Sequence, residues 1–175
     1  MLTKSCSLKE VVETLESVSF TNPETDLENQ KESPSLSAAL EKLAEFAQAH
    51  HLVALEQFAL NELRGYTDSQ QSSSASYPSY RVVALDYFDT GGQAMPSLSA
   101  QYGSYPLLNG LHKLELHLKN GLALNLPSPV LNFLSQAANR EVRGGHVAPS
   151  RLQTLLESIR YEAIGKLKHV DSSLL

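Results

Sequence analysis

Asp86 and Asp89 lie three residues apart in a Tyr- and Phe-rich stretch, and two carboxylates so spaced could hold a metal for assisted hydrolysis. No Glu-x-Lys nuclease companion follows them, so the pair gives little reason to expect catalysis. His50 and His51 are adjacent, and neighbouring helical positions point in different directions. They have no third ligand at helical spacing, and His112 and His117 are no better placed. The end of a helix, where a cation meets the negative pole of the dipole, accounts for the pair better than a metal does. Gly91-Gly92-Gln93 matches a release-factor tripeptide but lacks the basic flanks that would seat such a loop, and it reads as a turn. Cys6 is the only cysteine, which excludes an internal disulfide and a cysteine zinc site, and no neighbour is expected to activate it. Phosphate-loop, nucleophile-elbow and dinucleotide-binding signatures are absent. These residues give no reason to expect catalysis, a metal or a cofactor.

Two sets of residues could instead bind. Tyr77, Tyr80, Tyr87, Tyr102 and Tyr105 crowd one irregular stretch, and tyrosine is a rigid, amphipathic ring suited to protein recognition. The alternative to a protein interface is plain loop packing. Arg64, Arg81, Arg140, Arg143 and Arg151 could take an anionic ligand such as a nucleotide or nucleic acid. The net charge of -5 weighs against a protein built to grip phosphate backbones. The charge is uneven, with nine acids against four lysines up to Phe46 and six bases against three acids from Arg140 to Lys168. Solvated helix faces explain that asymmetry.

The elements that must carry these residues are mostly helical. Leu8, Val11, Val12, Leu15 and Val18 recur at helical spacing over Ser7 to Ser19. Ser35 is a cap after Pro34, and Leu36, Ala39, Leu40, Leu43, Phe46 and Ala47 form the stripe of a second helix that ends at the two histidines. Leu52, Leu55, Phe58, Ala59 and Leu63 give a third, stopped by Gly65, and the short connection makes the two an antiparallel pair. Tyr80 to Phe88 is the best strand candidate, followed by a turn at residues 90–93 and an irregular run from Met95 to Tyr105.

From Leu107 to Leu126 two patterns compete. Leu107, Leu111, Leu114 and Leu118 fit a helix face, whereas Leu114 to Leu118, Asn120-Gly121 and Leu122 to Leu126 alternate as in a hairpin. Leu122 to Leu126 is extended in either case. Pro129 to Ala138 fits a short helix capped by Ser128, with Val130, Leu131, Phe133 and Leu134 inward, and Arg143-Gly144-Gly145-His146 reads as a chain break. A last amphipathic helix runs from Pro149-Ser150 to about Lys168. The expected core includes Val12, Leu15, Leu40, Leu43, Phe46, Leu55, Phe58, Leu152, Leu156 and Ile159.

The order of these pieces resembles the AbiTii domain. The resemblance rests on the run from Ser35 to Ala47, on Leu55 to Tyr66 with its Glu62-Leu63-Arg64-Gly65-Tyr66 end, and on Pro78-Ser79-Tyr80-Arg81. Leu114-Glu115 and Pro149 to Lys168 fill the later slots, so the likeness spans nearly the whole chain. Phe58 stands where the family usually has Trp, and Thr21 to Ser33 is a long insertion. The resemblance implies an association with bacterial abortive infection and anti-phage defence, and it tilts Leu107 to Lys119 toward a helix. It brings no catalytic residue with it. Within the Glu62 to Arg81 cluster the expectation is structural: Gly65 caps a helix in a left-handed conformation while Arg81 pairs with Glu62.

The expected molecule is therefore one α+β domain over residues 1–175, predominantly α-helical, with five or six helices packed around a small β-sheet. Loops are expected at 21–34 and 67–79 and a tail at 169–175. The expected function is a non-catalytic interaction or sensor module acting through a protein partner, here a separate effector chain or a second copy. The alternative is nucleic-acid or nucleotide binding through the arginines. No signal-peptide core or membrane-length apolar run is present, which predicts a cytoplasmic protein with no membrane partner.

Overall fold

A capping box opens the first helix. The Ser7 hydroxyl accepts from the Glu10 N–H at 3.3 Å and the Glu10 carboxylate accepts the Ser7 N–H at 2.8 Å, so α1 spans Leu8–Ser17. The computed structural model describes residues 6–20, 33–66 and 77–173. The loops expected at 21–34 and 67–79 lie outside the described residues, save 33–34 and 77–79. Among the described residues there are seven α-helices and two small antiparallel sheets, an α+β fold that is predominantly helical. The chain divides into two compact units, one of Met1–Ser76, Asn109–Lys113 and Leu156–Leu175, the other of Tyr77–Leu108 and Leu114–Leu155.

In the first unit, Val11, Leu15 and Val18 are buried at four- and three-residue spacing, and Val12, expected inward, is half-exposed beside that stripe. Helix α2 (Leu36–Ala49) starts where the Ser35 hydroxyl accepts the Ala38 N–H at 3.1 Å. Its stripe of Leu36, Ala39, Leu40, Leu43, Phe46 and Ala47 is buried. Residues 50–52 turn the chain, with His51 at a φ of 57°, into α3 (Val53–Arg64), which packs back on α2 as an antiparallel pair. Gly65 ends α3 at φ 88° and ψ 173°, a conformation open to glycine, while its N–H bonds the Asn61 carbonyl at 2.8 Å. Three residues before Gly65, the fully buried Glu62 accepts the Tyr66 hydroxyl at 2.6 Å.

The second unit holds the sheets. The strand expected over Tyr80 to Phe88 is broken. A 3-10 turn at Ser79–Arg81 leads into β1 (Val82–Ala84), Leu85 turns its N–H to the Gly103 carbonyl at 2.8 Å, and β2 (Asp86–Asp89) then joins a different sheet. The Thr90 to Gln93 turn forms as expected, with the Asp89 N–H bonding the Gln93 carbonyl at 3.0 Å. The run from Met95 to Tyr105 is regular after all: α4 (Pro96–Tyr102) has its proline in the first turn, where no N–H is missed, and β3 (Ser104–Pro106) pairs antiparallel with β1.

The helix reading of the ambiguous leucines holds in shortened form. Helix α5 spans Leu111–Leu116, and β4 (Leu122–Leu124) pairs elsewhere, so no hairpin forms across Asn120-Gly121. Helix α6 is Ser128–Ala138, with Pro127 rather than Ser128 at the cap position. Arg143 to His146, read as a break, lies inside β5 (Val142–Val147), the central strand of a sheet ordered β2-β5-β4. The glycines are there for room. A β-carbon on Gly145 would sit 3.0 Å from the Leu85 side chain and 3.5 Å from the Tyr87 ring.

Helix α7 (Pro149–Ser173) begins in the second unit and continues in the first. It buries Leu152, Leu155, Leu156, Ile159, Ala163 and Leu167. No glycine or proline follows Lys168, and the helix runs on through most of the expected tail, whose last residues, 174–175, lie outside the described ones.

Candidate functional site

The five tyrosines do not share one environment. Tyr87 is core: it is 3% exposed, and its hydroxyl donates to the Tyr102 carbonyl at 2.7 Å. Burial, reinforced by the nearby Tyr105, raises its pKa above the ordinary tyrosine value. It cannot meet a partner. Tyr80 and Tyr105 are half-buried, the latter opposite Val83 in the β1–β3 ladder, and Tyr77 is exposed.

Tyr102, at the end of α4, is half-buried and meets the edge of Phe133 on α6, with ring centroids 5.2 Å apart and planes at 85°. That contact leads to an exposed apolar line on α6. The four apolar residues expected inward on α6 divide: Leu134 is buried and Leu131 half-buried, while Val130 and Phe133 are 41% and 53% exposed. Leu131, Leu134 and Ala138 follow one helical line, and Val130, Phe133 and Ala137 follow the next. The unit covers the first line and leaves the second in solvent. One continuous apolar pattern concealed two faces, and the signal available in the sequence was that the stripe is too wide for a single buried face.

The five arginines are likewise dispersed in role. Arg81 is fully buried, and its Nη1 donates to the Leu107 carbonyl at 3.2 Å. Arg140 bonds the carboxylate of Asp89, which also accepts the Gln93 N–H at 2.7 Å. Arg151 bonds Asp86 at 2.9 Å and the Ala84 carbonyl at 3.0 Å. Arg64 is exposed at the end of α3. Arg143 is exposed on β5 and has no ion pair among the described residues. Asp86 and Asp89 are thus each matched by an arginine, and they do not face one another as a metal-holding pair. Asp89→Ala is expected to cost about 1–2 kcal/mol in chemical denaturation, since the Gln93 N–H and a partly exposed Arg140 both lose their acceptor.

The remaining candidates stay apart. His112 lies 3.7 Å from Glu41 with both side chains exposed, and among the described residues no group of three or more His, Cys, Asp or Glu side chains gathers. Burial, then the neighbouring Glu10, raises the Cys6 pKa, which lowers its thiolate fraction at neutral pH. Among the described residues no helix is long and apolar enough to cross a membrane. Comparison with protein-family models, with curated proteins and with solved structures finds no match.

Proposed function

We propose that this chain is a non-catalytic interaction module that binds a protein partner through the outer face of α6, in the setting of bacterial abortive infection that its resemblance to the AbiTii domain implies. The observation that supports the reading is the exposed line of Val130 and Phe133, backed by the Tyr102 ring. An apolar line beside an aromatic pair gains more from being covered than from staying wet. Aromatic anchors are also the side chains most often found to dominate interfaces. Pro127 and Pro129 stiffen the start of α6, so little chain entropy is lost on docking. The reading places the protein in the cytoplasm, where its partner would be a defence effector or a second copy of the chain.

The test is capture of partners from cells before and after phage infection, with the parent protein and with Phe133→Ala and Val130→Ser. Each substitution is expected to weaken capture by upward of about 1 kcal/mol, roughly five- to tenfold, because each removes an interfacial anchor. The melting temperature should change little, since about half of each side chain is already in water. Equal capture by all three proteins would remove α6 as the interface. Recovery of oligonucleotide in place of protein would favour the nucleic-acid alternative.

A further inference from the structure

The sheet β2-β5-β4 has a second face. Tyr87 and Val147 point to its covered side, and strand alternation sends their immediate strand neighbours to the other. Phe88 pairs with Gly144, and His146 stands between Asp86 and Ala123, so these residues share that outer face. Gly144 has no side chain to fill its place in the central strand, and a hollow of about 430 Å³ lies over it. That volume is within the range of small-ligand sites.

The walls of the hollow differ in chemistry. Phe88 and His146 form an edge-to-face pair, their centroids 6.3 Å apart and their planes at 78°. The His146 ring is held by Nε2 against the Asn120 carbonyl at 3.2 Å. Asn125 adds a side-chain amide, and Arg143 adds a guanidinium. Among the described residues no carboxylate pairs with this arginine, whereas Arg140 and Arg151 are matched to Asp89 and Asp86.

We propose that this hollow is a binding site for a planar heteroaromatic ring bearing an anionic group, of the mononucleotide class. The ring lies on the bare backbone at Gly144 beside Phe88, where no β-carbon keeps it away. Asn125 offers both a donor and an acceptor to the ring's edge, and Arg143 takes the phosphate through its fork of N–H groups. The site is on the sheet and does not depend on the α6 face.

The experiment is calorimetric titration of the whole chain with AMP, with ribose 5-phosphate as the anion without the ring and adenosine as the ring without the anion. AMP is expected to bind saturably, and each half-ligand about tenfold or more weaker. Arg143→Ala should weaken AMP about tenfold and leave adenosine unchanged, because an exposed cation serves the anion alone. Phe88→Leu should weaken AMP and adenosine together. Gly144→Ala should also reduce binding, but its β-carbon would come 3.3 Å from the Leu124 carbonyl, so the exposed Arg143 carries the decision. No saturable heat at about 5 mM AMP, ribose 5-phosphate binding as well as AMP, or an unaffected Arg143→Ala protein would each overturn the proposal.

Discussion

Arg81→Met should lower the unfolding free energy of the chain by about 1–3 kcal/mol, although methionine fills much of the same length with no charge to bury. The guanidinium is fully removed from water. Its Nη1 donates to the Leu107 carbonyl at 3.2 Å while the Arg81 carbonyl accepts the Leu107 N–H at 2.8 Å. Side chain and backbone thus clamp the same residue, and the clamp fixes the entry of β1 beside the exit of β3. Methionine leaves the backbone bond but orphans a buried carbonyl, and a flexible thioether cannot restore it. Arg81→Lys should recover only part of the loss, since a point charge replaces a planar fork. Urea unfolding followed by circular dichroism measures both variants. A methionine variant as stable as the parent would show that the clamp adds nothing to stability.

Gly121→Ala is the second large effect, expected at about 3 kcal/mol. Gly121 sits at φ 78°, which costs an alanine about 1 kcal/mol or more before any contact is counted. The added β-carbon would then lie 2.5 Å from the Val147 carbonyl and 2.5 Å from the His146 ring, and the carbonyl belongs to a central strand that cannot step aside. Overpacking against backbone contributes a further 1–3 kcal/mol or so. Because His146 walls the outer hollow of the sheet, the same variant should shift the His146 ring resonances in a proton NMR spectrum. A stable protein with unmoved His146 signals would contradict the close approach.

These two residues also show where sequence pattern ceases to inform. Helices α1, α2, α3 and α7 were legible because cap, stripe and stop are local: Ser7, Ser35 and Gly65 stand where the periodicity begins or ends. The strands were not, because each is three to six residues long and owes its state to partners far along the chain. Gly144-Gly145 has every local mark of a break, yet contact with Leu85 and Tyr87 makes it the middle of a sheet. The same limit applies to the surfaces. Tyr102 and Arg143 could be named in advance, but that Phe133 faces outward beside Tyr102 depends on which side of α6 the unit covers. Arg81 could be named too, although burial gives it a structural role rather than a place on a ligand surface.

Helix α7 sets a timetable for synthesis. The Arg160 side chain donates to the Val18 carbonyl at 2.8 Å across 142 residues of sequence, and residues 156–173 complete a unit whose helices α1, α2 and α3 are made earlier. At roughly 5–20 residues per second, α1 waits about 7 to 30 s for that bond to become possible. Helices α2 and α3 can pair meanwhile, but the apolar surfaces reserved for Ile159, Ala163 and Leu167 stay wet until translation passes them. The yield of folded chain is therefore expected to depend on elongation rate and on holding chaperones as well as on the stability of the finished fold.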